Sequence, residues 1–162
     1  MNAMKILMVC LGNICRSPLA EGILRKKILL KSAAVKSLEK VIIDSAGTGN
    51  WHAGEHPDKR AIQAAKKFDV DISRLIARQF TVNDFSEFDL IFAMDYDNFT
   101  DIMMMARNTS DKKKVRLLLN VDQPESNRSV PDPYYGGEDG FIQVCKLIEV
   151  SCDSIVNELV KG

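Results

Sequence analysis

The 162-residue sequence predicts an α/β fold in three layers: a four-stranded parallel sheet flanked by helices. Three observations carry that expectation. Short apolar runs alternate with segments of helical periodicity along the whole chain. The runs are apolar at nearly every position, as strands buried on both faces must be. With 46% hydrophobic residues, a chain of this length can bury one sizeable core, so one domain over residues 1–162 is expected.

The elements follow in order. KILMVC (5–10) is the first strand. SPLAEGILRKKILLKSA (17–33) is a helix with Leu19, Ile23, Leu24 and Ile28 at helical spacing; Ser17 is expected as its N-cap and Pro18 as its first helical residue. VIIDSAG (41–47) is the second strand, running into a Gly-rich loop, and Pro57 to Phe68 is the second helix. DLIFAM (89–94) is the third strand and Tyr96 to Ala106 the helix after it. The basic run Lys112–Lys114 reads as solvated loop, and VRLLLN (115–120) as the fourth strand. A Pro-rich stretch, DQPESNRSVPDPYYGG, leads into a long helix from about Gly140. In that helix Phe141, Cys145, Ile148, Cys152, Ile155 and Leu159 step by four and three, the core stripe of an amphipathic helix.

Composition excludes several classes. Lysine plus arginine equals aspartate plus glutamate at 22 each, so no overall field recruits nucleic acid or an anionic membrane. No stretch has the length and apolarity of a membrane span, and MNAMKILMVC makes a poor signal peptide. Four cysteines without a secretory signal suggest reduced thiols in a cytoplasmic protein. Nothing in the sequence suggests an obligate dimer, so a monomer is expected.

Chemistry concentrates in VCLGNICRSP (9–18), which joins a strand end to a helix start. In such sheets the site lies beyond the carboxyl ends of the strands. Backbone N–H groups from Leu11 to Ser17 can point inward as a nest at the helix N-terminus. Gly12 allows close approach of the backbone, and Asn13 tolerates the left-handed conformation. Arg16 adds a planar fork that matches two phosphate oxygens. Cys10, at the mouth of this oxyanion cradle, is favoured as a thiolate and therefore as a nucleophile toward phosphorus. A nucleotide-binding loop would need Gly-Lys-Ser/Thr here, and Arg16-Ser17 lacks the lysine.

The segment CLGNICRS resembles the signature loop of the low-molecular-weight protein tyrosine phosphatases, and DSAGTGNW (44–51), MDYDN (94–98) and DPYYGG (132–137) extend the likeness in the family's order. The resemblance implies the phosphotyrosine protein phosphatase I-like fold and hydrolysis of phosphotyrosine-bearing proteins or small aryl phosphates, with no metal or organic cofactor. It makes Cys10 the nucleophile, Arg16 the transition-state clamp and Asp132 the general acid. The phosphate would be held by Leu11, Gly12, Asn13, Ile14, Cys15 and Ser17, with Trp51, Tyr134 and Tyr135 around a substrate ring. Ser45 would pin Asn13. Asp95 would organise the acid loop or cap the following helix. Many relatives carry a histidine where this chain has Phe68, a departure that takes away a histidine expected to brace Ser17. His52 and His56 read as loop residues without a catalytic duty. Cys15 would act as a guard that forms a disulfide with Cys10 under peroxide.

Two enzymes of the same fold are rivals. A thioredoxin-coupled arsenate reductase needs two further cysteines, for which Cys145 and Cys152 are candidates, although their helical stripe points to the core. A protein-arginine phosphatase tends to carry threonine where this loop has Ile14. A phosphopeptide-binding module would be expected to lose the nucleophile or the acid, and both are present here.

Overall fold

The computed structural model describes residues 3–162; Met1 and Asn2, included in the domain range expected above, lie outside the described residues. Four strands, β1 (Lys5–Cys10), β2 (Ile42–Gly47), β3 (Leu90–Ala93) and β4 (Val115–Leu117), form one sheet in the order β2-β1-β3-β4. Every pairing is parallel, with Cys10 opposite Gly47 and Val9 opposite Ala93. The helices are α1 (Arg16–Ser32), α2 (Lys59–Lys67), α3 (Asp84–Glu87), α4 (Tyr96–Met105), α5 (Thr109–Lys113) and α6 (Glu138–Lys161).

Because side chains alternate along a strand, β1 feeds two cores. Ile6 and Met8 join α1, α2 and α6 on one face, while Leu7 and Val9 join α3, α4 and Phe80 on the other. The sheet order reverses direction at β1 and β3, so a crevice opens beyond their carboxyl ends. Cys10 stands at that crevice, and so do the residues after β3.

Several boundaries differ from expectation for physical reasons. α1 begins at Arg16 with Cys15 at the cap, so Ser17 is not the N-cap and Pro18 is the third helical residue. Proline is tolerated there because the N–H groups of the first turn have no partner within the helix. β4 ends at Leu117, and Leu118–Asn120 form a 3-10 turn. Leu118 and Leu119 are nonetheless buried, so the apolar run reported burial and not strand pairing. Lys112 and Lys113 close α5 rather than lying in a loop; Asn108 caps that helix by accepting from Asp111 N–H.

Candidate active site

β1 ends at Cys10, and the chain turns into α1 six residues later. Asn13 takes a left-handed φ of 56° to make this turn. Its N–H then donates to Cys10 Sγ at 3.2 Å, and the Ser17 hydroxyl lies 3.0 Å from the same sulfur. The loop after β2 braces the outside, with Thr48 N–H donating to Cys10 O and Gly49 N–H to Leu11 O, both at 2.9 Å. Gly47 is needed for that approach, since a Cβ there would stand 2.7 Å from Leu11 O.

Behind the loop runs a hydrogen-bonded chain. Ser45 Oγ donates to Glu21 Oε1 at 2.6 Å. Asn13 Nδ2 donates to Ser45 Oγ at 3.0 Å and to Ser17 Oγ at 2.8 Å. Its Oδ1 accepts from Arg78 N–H at 3.0 Å, which fixes the orientation of the amide. Ser45 thus commits its one hydroxyl hydrogen to Glu21, and Ser17 accepts a hydrogen bond from Asn13. The Ser17 proton is left free to donate to Cys10 Sγ, the other acceptor, Ala46 O, being 3.4 Å away. Glu21 is 2% exposed and pairs with Arg25 at 2.7 Å. Burial raises its pKa, opposed by the Ser45 bond and the Arg25 charge. The sequence reading missed Glu21, which looked like one more charged residue on a helix. Phe68 closes α2 and packs into the first core; the partners of Ser17 are Cys10, Asn13 and the β2 carbonyl.

Arg16 is 3% exposed and is held from the far side. Its Nη1 donates to Asp95 Oδ2 at 2.6 Å and to Val130 O at 3.0 Å, while Nη2 lies 3.7 Å from Asp132 Oδ2. Asp95 uses its other oxygen to cap α4, accepting from Asn98 N–H at 2.7 Å. Among the described residues it bonds Arg16 and α4, and Arg16 in turn meets the loop that carries Asp132.

A cavity of about 250 Å³ lies between these groups. Cys10, Leu11, Gly12, Ile14, Cys15 and Arg16 line it from the phosphate loop, and Trp51, Asp132, Tyr134 and Tyr135 from the facing loops. Asn13, Ser17, Ser45 and Asp95 stand behind the wall. His52, set aside in the sequence reading, lines the cavity; a Cβ on Gly12 would come within 3.2 Å of its ring. His56 bonds Leu75 O instead. Arg60 also escaped the sequence reading. It is gripped by Asp58 and donates to Tyr134 O at 2.8 Å and Gly136 O at 3.3 Å, with its guanidinium over the Tyr134 ring. The two-residue spacing of Asp58 and Arg60 is visible in the sequence, but a partner loop 74 residues away is not.

All four cysteines are free and buried. Burial, then the Asp58 charge, pushes the Cys15 thiol up, so it stays protonated beside Cys10. Burial likewise pushes Cys145 up to about 12 and raises Cys152. Both sit in the α6 core, as their spacing predicted. Among the described residues there is no group of three or more His, Cys, Asp or Glu side chains placed to hold a metal ion.

A family model described as low molecular weight phosphotyrosine protein phosphatase matches residues 5–162. A low molecular weight protein-tyrosine-phosphatase of Bacillus subtilis is 40% identical over 159 residues, 96% of each chain. A solved protein tyrosine phosphatase of Entamoeba histolytica superposes with a TM-score of 0.88 at 38% identity, covering 99% of both chains. A solved Drosophila arginine phosphatase gives 0.85 at 32% identity, covering 96% of this chain and 98% of that one. A cysteine cradled at the end of a parallel strand and a family match from the first strand to the last residue agree: this chain belongs to the low molecular weight phosphotyrosine protein phosphatases.

Proposed function

We propose that this protein hydrolyses phosphotyrosine and small aryl phosphates in two steps through a phosphocysteine, residues 1–162 acting as one phosphatase domain. The observation that carries this reading is Cys10 Sγ between the Asn13 N–H and the Ser17 hydroxyl, with buried Arg16 lining the same cavity. The Cys10 thiolate attacks phosphorus while the loop N–H groups and Arg16 hold the equatorial oxygens. The P–O bond to the phenol breaks, and the leaving oxygen takes its proton from Asp132. Water then attacks the phosphocysteine, giving a proton back to Asp132 and releasing phosphate and the thiolate.

Trp51 and Tyr134 suit the flanks of an aromatic leaving group, with Tyr135, 95% exposed, nearer the rim. The setting is the cytoplasm, where thiols stay reduced. There Cys15 guards the nucleophile: peroxide converts Cys10 to a sulfenic acid, and the Cys15 thiol condenses with it to a disulfide, releasing water.

Phosphoarginine is the second reading, favoured by the likeness to the Drosophila arginine phosphatase and opposed by Ile14 in the loop. Arsenate reduction is opposed by Cys145 and Cys152, two turns apart on one buried helix, about 10 Å along its axis. A side-by-side assay on phosphotyrosine, phosphoarginine and thioredoxin-coupled arsenate tests the proposal. The highest kcat/KM is expected on phosphotyrosine; faster turnover of either alternative replaces it.

A further inference from the structure

The turn that carries Tyr134 has little of its own to hold it. Its internal bonds are local, Tyr134 N–H donating to Asp132 Oδ1 at 3.1 Å and Gly136 N–H to Pro133 O at 2.9 Å. Gly136 and Gly137 follow, and a Cβ added at Gly137 would meet nothing within 4 Å, so no packing steadies the chain there. Among the described residues, every hydrogen bond that ties residues 134–136 to a distant part of the chain comes from Arg60. Its Nη1 donates to Tyr134 O at 2.8 Å and to Gly136 O at 3.3 Å.

Arg60 is itself firmly placed. The Asp58 carboxylate accepts from its Nε at 3.0 Å and from its Nη2 at 2.9 Å, a two-pronged pair. The guanidinium carbon lies 4.9 Å from the centre of the Phe141 ring, which is fully buried, and 5.3 Å from the centre of the Tyr134 ring. A core ring, a flat cation and a cavity ring are thus in contact in series. Tyr134 lines the phosphate cavity and Arg60 does not, so the cation backs the ring from outside that space. Asp58 N–H meanwhile donates to Ile14 O at 2.9 Å, and Ile14 lines the same cavity. One short strut, Asp58 to Arg60, therefore ties down two walls. Trp51, a third, rests against Gly49, where a Cβ would collide with the indole.

We propose that Arg60 is the positioning residue that makes this cavity select aromatic leaving groups, because it holds the Tyr134 ring in place before the substrate arrives. The inference rests on the phosphatase reading and deepens it: selectivity is assigned to a residue outside the cavity. The physical reason is preorganisation. A substrate ring gains fully from an aromatic wall only if that wall is already ordered; otherwise the cost of ordering it is subtracted from the affinity. An alkyl chain has no ring face to match and depends less on where Tyr134 stands.

The test is calorimetric affinity for three probes that share the phosphate-loop contact: inorganic phosphate, benzylphosphonate and pentylphosphonate. The natural sequence should prefer the benzyl over the pentyl probe by about three- to tenfold. Arg60→Ala should weaken benzylphosphonate by about two- to fivefold, pentylphosphonate by less, and inorganic phosphate not at all. On a Tyr134→Ala background, Arg60→Ala should have no further effect on benzylphosphonate, because its influence passes through that ring. A benzyl preference missing from the natural sequence or intact in Arg60→Ala, or an equal loss for all three probes, would overturn the role of Arg60 alone. So would a further loss on the Tyr134→Ala background. No binding of inorganic phosphate together with no hydrolysis of phenyl phosphate would overturn the phosphatase reading, and this inference with it.

Discussion

The phosphate loop and the acid loop face each other across one cavity but are held very differently. Residues 10–17 are bound on every side: Thr48 and Gly49 brace the backbone, Asp58 N–H donates to Ile14 O at 2.9 Å, and the chain from Glu21 orients Asn13 and Ser17. Cys10, Asn13, Arg16 and Ser17 are all buried. The loop carrying Asp132 is anchored at its start by Val130 N–H to Met94 O at 2.8 Å and Arg16 to Val130 O, and beyond Asp132 it is tied to the rest of the fold by Arg60 to Tyr134 O and Gly136 O. Asp132 itself keeps a 44% exposed side chain. The difference suits the two tasks proposed for these loops. Charge stabilisation works best from donors fixed before the reaction begins. Proton delivery and ring binding tolerate a loop that adjusts to each substrate.

Breaking each half in turn sharpens this division, and the largest effect belongs to the nucleophile. Cys10→Ser should lower kcat on an aryl phosphate by at least about 10⁴-fold while inorganic phosphate still binds, as calorimetry would show. Asp132→Ala should slow a phenyl ester by about 10²- to 10⁴-fold and an activated nitrophenyl ester far less. Equal slowing of both esters would remove Asp132 from the acid role.

Glu21→Gln comes next. An amide can donate to Ser45 and so reverse the chain that frees the Ser17 proton. Alkylation of Cys10 by iodoacetate at pH 6 and kcat/KM should each fall by about tenfold. Its effect on stability has its own pH signature. Burial raises the Glu21 pKa, so its contribution is full below the ordinary value of about 4.3 and is lost as pH climbs through the raised value. Urea denaturation across that window should show the natural protein losing ground to the variant as pH rises.

The smallest effect is expected from Arg60→Ala, about two- to fivefold in kcat on a phenyl ester, with Cys10 alkylation unchanged. Here the pH slope reverses. The bonds from Arg60 hold the Asp58 carboxyl below its ordinary range. Its stabilisation is therefore present above about pH 3.9 and is lost as pH falls through the lowered value, so the variant's deficit should fade in acid. An altered rate of Cys10 alkylation would show that the two loops are not independently held.

The two halves were also unequally legible. The proposed nucleophile Cys10, the proposed clamp Arg16 and the left-handed Asn13 lie within one strand-to-helix turn, so the neighbours that set their chemistry are neighbours in sequence. Asp132 was picked out by the DPYYGG likeness, but the tether of its loop through Arg60 spans 74 residues and leaves no local mark. Ser17 shows the reverse failure. Its position before proline suggested a helix cap, yet its hydroxyl found partners in Cys10 and Asn13, which outcompeted the capping role in a buried site.

By itself, the order of apolar runs and helical stripes determined a parallel sheet with a cysteine-bearing loop at one strand end, because burial on two faces and a tight turn are written in adjacent residues. Tertiary structure alone decided that Glu21 faces Ser45 and that Asp95 takes Arg16 as well as α4. Charge and hydrogen bonding act through space, and only the folded chain states which distant groups share that space.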